Sequence, residues 1–87
     1  MNIVHFNDLI DYNSYVYIFG KYPEELKYYI DTIGLGEYFD EQNNKLKIDI
    51  VYRIHKNHLD GHFKDNKQIN INVNNSGLLK CYSIYDI

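Results

Sequence analysis

The sequence predicts a small α+β domain, with an antiparallel sheet of three to four strands and one principal helix packed on one face. Three observations support this fold class. Several short segments alternate apolar and polar residues, one segment repeats its apolar residues at helical spacing, and the chain contains no alanine. With 87 residues and 45% hydrophobic content there is enough apolar material for one core. We therefore expect residues 1–87 to form a single domain.

Two candidate strands lie near the N-terminus. Residues 1–6 are apolar enough for an edge strand, although Asn7 or Asp8 could instead cap a helical turn. Residues 14–19 place large apolar side chains on both faces of a strand. We therefore expect both faces of the sheet to be covered at this strand, which ends at Gly20.

Residues 23–33 predict the principal helix. Pro23 suits the first turn, and the two glutamates that follow complement the positive end of the helix dipole. The apolar residues recur at helical spacing, namely Leu26, Tyr29, Ile30 and Ile33. Gly34 is the expected stop. Tyr28 falls off this apolar stripe, so its side chain has less reason to be buried.

The second half of the chain predicts three more strands. Residues 45–55 and 67–74 both alternate apolar and polar side chains. A short turn at residues 75–77 leads into a last strand at residues 78–85. These segments together predict an antiparallel meander with the helix on its apolar face.

The negative charge lies almost entirely in the first half of the chain. Residues 1–44 contain eight acidic and two basic side chains, whereas residues 45–87 contain four and seven. An acidic face of this kind attracts and orients a basic partner. The overall charge of −3 argues against nucleic acid as a direct ligand, because phosphate binding needs clustered Lys and Arg.

The predicted compartment is the cytoplasm. Cys81 is the single cysteine, so the chain cannot form an internal disulfide and does not need an oxidising compartment. The first residues lack the basic start and long apolar run of a signal peptide, and no stretch has transmembrane length. We expect no membrane contact, no cofactor, and a monomer or homodimer.

The sharpest cluster of potential metal ligands or acid–base groups is His55, His58, Asp60 and His62. Its spacing matches neither the helical His-Glu-x-x-His pattern nor a Cys/His finger. We therefore predict no metal site and no enzymatic activity. A small metal-binding or His-dependent enzyme built on these four residues remains the alternative from another class.

A mixture of aromatic and acidic residues is typical of a protein-binding surface. The residues predicted to contact a partner are Tyr28, Asp31, Glu37, Tyr38, Phe39, Asp40 and Glu41. Their carboxylates would pair with Lys and Arg of the partner, and their rings would be the buried anchors. The alternative is that the tyrosines pack the core and the acids form an ordinary solvated surface.

These features favour a small acidic inhibitor. The first hypothesis is an immunity protein that neutralises a bacterial toxin nuclease by occupying its basic cleft. The second is a phage-encoded, anti-CRISPR-like inhibitor of a nuclease-based defence. A third class is a subunit that self-associates through a sheet edge at Asn70, Asn72 and Asn74. No residue motif identifies a family.

Overall fold

The computed structural model describes residues 3–4, 10–33, 37–48, 50–73 and 77–84. In these ranges the fold is a mixed β-sheet with short 3-10 segments and no α-helix. The strands are β1 (Ile3–Val4), β2 (Tyr15–Phe19), β3 (Ile30–Ile33), β4 (Val51–His55), β5 (Gln68–Asn72) and β6 (Leu78–Ser83). Because β1 has only two residues, the other five strands make up the body of the sheet.

The strand order across the sheet is β1-β3-β4-β2-β6-β5. Strand β4 is antiparallel to both β3 and β2, and β5 is antiparallel to β6. The pairs β1–β3 and β2–β6 are parallel. The predicted antiparallel meander is therefore wrong, because β4 lies between β3 and β2 instead of beside β5.

The predicted principal helix at residues 23–33 is also wrong. Glu24–Tyr29 forms a 3-10 segment, and Ile30–Ile33 is strand β3. The β-branched side chains of this strand suit a pleated sheet, and pairing with β4 buries Ile30 on one face and Ile33 on the other. The fold is therefore mostly β, and the α+β prediction is corrected. The expected helix stop at Gly34 lies outside the described residues.

Two strand predictions are confirmed by the structure. The strand expected at residues 14–19 is β2, which lies inside the sheet and has buried side chains on both faces. The C-terminal hairpin is β5 paired with β6. Its connection includes a hydrogen bond from the Val73 N–H to the Gly77 carbonyl, and Gly77 has a φ of 89°, which favours glycine. The other turn residues lie outside the described ranges.

The strand expected at residues 45–55 is shorter than predicted. Only Val51–His55 joins the sheet, as β4. Before it, the chain crosses one face of the sheet, where Lys45 forms an isolated bridge with Phe39 and the Leu46 N–H donates to the Tyr38 carbonyl. The apolar side chains of this crossing segment pack against the sheet in an irregular backbone conformation, so their alternation did not indicate a strand.

The sheet buries a hydrophobic cluster on each face. The first cluster contains Tyr17, Phe19, Ile33, Tyr38, Val51, Ile71, Val73, Leu79 and Cys81. The second contains Val16, Ile18, Ile30, Ile54 and Phe63. The second face is covered by the 3-10 segments Glu24–Tyr29 and Gly61–Asp65, which contribute Leu26 and Phe63. No helical segment within the described ranges has the length and hydropathy that crossing a membrane requires.

Cys81 is fully buried in the first cluster, and burial raises the pKa of its thiol above the ordinary value. The unfolded thiol ionises near pH 8.5, whereas the folded protein keeps its proton to higher pH. Above that pH the unfolded state binds fewer protons, so the contribution of this group to stability is lost as pH rises. We expect a loss of up to about 1.4 kcal/mol per pH unit above about pH 8.5.

Urea unfolding of the wild type and of Cys81→Ala at several pH values measures this contribution. The difference in unfolding free energy between the two proteins should be constant at neutral pH and should shrink in alkali. A thiol reagent should react with Cys81 only as fast as the protein unfolds. Rapid modification of the native protein, or a constant difference at all pH values, would contradict the burial of this thiol.

Candidate protein-binding surface

Tyr28 is the most exposed large apolar side chain in the described ranges, with 81% of its surface accessible. It lies on the 3-10 segment Glu24–Tyr29, which leads directly into β3. Two neighbours attach this segment to the sheet. Leu26 packs against the second cluster, and Tyr22 packs edge-to-face on Tyr52 with 5.1 Å between ring centroids. The backbone is therefore anchored while the Tyr28 ring stays in solvent.

Charged side chains flank Tyr28 on its own segment. Glu24 and Glu25 are both exposed. The Nζ of Lys27 lies 2.9 Å from the Glu24 Oε1 and 5.2 Å from the centre of the Tyr28 ring. The hydrogen bond to Glu24 raises the pKa of Lys27, which therefore stays charged. Within the described ranges Glu25 has no ion-pair partner, so its charge is available to another molecule.

The aromatic surface continues onto a neighbouring segment. The rings of Tyr29 and His58 stack with 3.9 Å between centroids and 9° between planes, and both side chains are exposed. His58 belongs to the 3-10 segment Lys56–His58, which directly follows β4, the neighbour of β3. We call Glu24, Glu25, Tyr28, Tyr29 and His58 the Tyr28 surface. It combines two exposed tyrosines with carboxylates on a backbone held against the sheet.

Asp31 belongs to an internal ion pair. It lies opposite Arg53 across the β3–β4 pairing, and the Asp31 Oδ2 is 3.0 Å from the Arg53 Nη2. Both side chains are largely buried, and the guanidinium also lies 4.2 Å from the centre of the Tyr15 ring. The Asp31 carboxylate is therefore already neutralised within the chain.

Tyr38 lies in the core with 4% of its surface exposed. Its hydroxyl donates a 2.8 Å hydrogen bond to the Ile33 carbonyl, and burial raises the pKa of the phenol. Phe39 is half-buried, and its backbone bridges Lys45 on one side and Asn72 on the other. Tyr38 thus stabilises the first cluster, while Phe39 is only partly buried.

The three acids of the loop after β3 have separate environments. The Glu37 Oε1 lies 3.0 Å from the Nζ of Lys45 in an exposed ion pair. The Asp40 carboxylate accepts backbone N–H groups of Gln42 and Asn44, which fixes a tight turn. Glu41 accepts a 2.7 Å hydrogen bond from the side-chain amide of Asn70. In the described part of the chain, neither Asp40 nor Glu41 pairs with a Lys or Arg.

The structure therefore separates the sequence-predicted contact residues into two groups. Tyr28 lies beside β3, whereas Phe39 and Glu41 contact β5. Strands β4, β2 and β6 lie between, which corresponds to about 19 Å at ordinary strand spacing. The second group also occupies part of the outer edge of β5, because the Asn72 N–H donates to the Phe39 carbonyl. Asn74, the third residue of the predicted self-association edge, lies outside the described ranges.

The histidine cluster serves local turns. The His55 Nδ1 accepts the Asn57 N–H, and the Asp60 Oδ1 accepts the His62 N–H, so each caps the 3-10 segment that follows it. The His55 and His58 rings are 6.4 Å apart, and the His62 Nε2 lies 3.8 Å from the Asp60 Oδ1. Among the described residues, no three His, Cys, Asp or Glu side chains converge as a metal-binding set.

No family model, curated protein or solved structure matches this chain. The candidate surface therefore follows from the chain's own geometry. Tyr28 is among the contact residues predicted from the sequence, whereas Glu24, Glu25, Tyr29 and His58 are not. The run Pro23-Glu24-Glu25 could have indicated from the sequence that carboxylates lie beside Tyr28. The Tyr29–His58 stack could not be predicted in this way, because it depends on the pairing of β3 with β4.

Proposed function

We propose that this protein is a small acidic inhibitor, an immunity protein that binds the basic cleft of a bacterial toxin nuclease domain. The exposure of Tyr28 beside Glu24 and Glu25 is the observation on which the proposal rests. A tyrosine contributes a large contact area while losing little conformational entropy, which is why tyrosines are enriched among interface hot spots. The ring is solvated in the free chain, and a partner would bury it.

The charges of the chain favour a cationic partner. Glu25 is unpaired in the described ranges, and Glu24 pairs only with an exposed lysine, an interaction that contributes little and can be exchanged for a partner's arginine. Asp40 and Glu41 at the opposite edge lack a cationic neighbour in the same ranges. These two would add long-range attraction without direct contact, because electrostatic steering acts before the surfaces meet.

Inhibition follows from occupancy of the cleft. A nuclease binds the phosphates of its substrate through clustered Lys and Arg. Carboxylates of the Tyr28 surface that bind the same cations would exclude the substrate, and no catalytic group is needed on the inhibitor. In this proposal the protein acts in the cytoplasm, where the nucleic acid substrates of the toxin are, and it contacts no nucleic acid itself.

Capture of the partner tests this function. The full chain is immobilised, incubated with lysate of its native host, and the retained proteins are identified and purified. We expect a basic nuclease domain that loses activity when the chain is added at equimolar concentration. Retention of no basic protein, or a captured nuclease whose activity is unchanged, would refute the inhibitor proposal.

A charge reversal at Glu25 tests the role of the Tyr28 surface in association. Glu25→Lys should slow association with the captured partner several-fold at low salt, because the new lysine repels the basic cleft. Asp65→Lys is the matched control. Asp65 is also exposed on a 3-10 segment without an ion-pair partner in the described ranges, and its reversal changes the net charge equally. Equal slowing by both variants in surface plasmon resonance would assign the effect to net charge alone.

A further inference from the structure

A cleft of about 570 Å³ opens where β2 and β6 end and β4 and β5 begin. Much of its wall is apolar and comes from Phe19, Leu46, Ile48 and Ile69. These residues belong to β2, to the segment that crosses the sheet, and to β5, so the cleft is formed by tertiary packing. Its volume is within the range of small-molecule sites. None of its lining residues belongs to the Tyr28 surface.

Polar groups also line the cleft. Lys47 and Lys67 line it from different segments, and both side chains are exposed. In the described part of the chain neither ammonium group has an ion-pair or hydrogen-bond partner. Ser83 lines the same cleft with 2% of its surface exposed, and its Oγ is buried without a hydrogen bond to any of the described residues. A buried hydroxyl normally has a partner, so a polar group of a bound molecule could satisfy this oxygen.

We propose that this cleft binds a small amphipathic carboxylate, such as a medium-chain fatty acid. The hydrocarbon part contacts the apolar wall, and the carboxylate lies between the Lys47 and Lys67 ammonium groups. Rotation of the Ser83 side chain lets its hydroxyl donate to the carboxylate. A cation would be repelled by the two lysines, and a neutral apolar molecule would leave the lysines and the hydroxyl unpaired. The site is separate from the proposed inhibitor function and uses none of its residues.

Titration of the ¹⁵N-labelled full chain with decanoate, and with decanol as the uncharged analogue, tests the site by NMR. Decanoate should shift the backbone amide signals of Phe19, Lys47 and Ser83, and it should bind at least about tenfold more tightly than decanol. The absence of shifts at these residues would refute the site. Equal binding of decanoate and decanol would show an apolar cleft without a carboxylate site.

Two double variants separate this site from general attraction of anions. Lys47→Met with Lys67→Met should weaken decanoate binding about tenfold or more, and Lys56→Met with Lys64→Met, which removes two exposed lysines outside the cleft lining, should leave it unchanged. Ser83→Ala should weaken decanoate binding more than decanol binding, because a hydrogen bond to a charged carboxylate is stronger than one to a hydroxyl. The amide spectrum reports whether each variant is folded. Equal weakening of decanoate binding by both double variants would overturn the proposed carboxylate site. That result would not bear on the proposed role of the Tyr28 surface.

Discussion

Replacing Ile54 with alanine is expected to lower the free energy of unfolding by about 4 kcal/mol. Ile54 is 1% exposed and lies on β4 between β3 and β2. Its register partners are Ile30 on one neighbouring strand and Val16 on the other, and both belong to the same cluster. Truncation would leave a cavity beside Ile30 and Val16, which cannot move together to fill it because β3 and β2 are both hydrogen-bonded to β4. A loss of this size is a large fraction of the stability of a small domain, commonly about 5–15 kcal/mol.

Urea unfolding followed by circular dichroism measures this loss. Leu78→Ala is the matched control, because Leu78 lies at the start of β6 with 46% of its surface exposed and loses a similar number of apolar atoms. We expect the control to cost less than about 1 kcal/mol. Similar losses of unfolding free energy for the two variants would contradict the burial of Ile54 in the second cluster.

Replacing Tyr28 with alanine is expected to weaken binding of the captured partner by about 2 kcal/mol or more, roughly 30-fold. The ring makes little contact within the free chain, so its removal should change the free energy of unfolding by no more than about 0.5 kcal/mol. A residue that contributes to affinity without contributing to stability is the signature of a docking side chain. Calorimetric titration gives the affinity, and urea unfolding gives the stability.

Leu78→Ala again provides the control for Tyr28. It removes an exposed apolar side chain from β6, which is separated from β3 by two strands. Its affinity for the partner should match that of the wild type. Unchanged binding by Tyr28→Ala, or equal weakening by Leu78→Ala, would exclude Tyr28 as the anchor.

The strands that could be predicted were those whose local pattern agreed with their final environment. In β2 both faces carry large apolar side chains, and the structure buries both. The turn residues before β6 similarly indicated a hairpin. The parallel pairing of β2 with β6 was beyond reach, because Tyr17 and Cys81 are register partners from opposite ends of the chain and no local pattern reports such a contact.

The helix prediction failed because the spacing of Leu26, Ile30 and Ile33 suits two structures. It places these residues on one face of a helix, yet it also allows a 3-10 turn followed by a strand that is buried on both faces. The deciding interaction is the pairing of β3 with β4, which includes the Asp31–Arg53 ion pair. That pairing joins residues far apart in sequence, so tertiary structure overrides the local pattern.

The candidate site shows the same division between local and long-range information. Tyr28 was expected to be exposed, and it is. Tyr38 was expected to be a partner anchor, but its hydroxyl donates to the Ile33 carbonyl inside the core. The sequence supplied the residue types and their proximity along the chain. The strand order decided which of them share a surface. It placed Tyr28 next to β3 and Glu41 next to β5, with three strands between them.

Competition with DNA for the captured partner tests the central claim most directly. A fluorescent DNA duplex is bound to a catalytically inactivated form of the partner, and the chain is added while the anisotropy of the label is followed. We expect the wild type to displace the DNA at stoichiometric concentration, and we expect Tyr28→Ala to require roughly 30-fold more protein. A ternary complex in which DNA and the chain are bound together would contradict occupancy of the basic cleft.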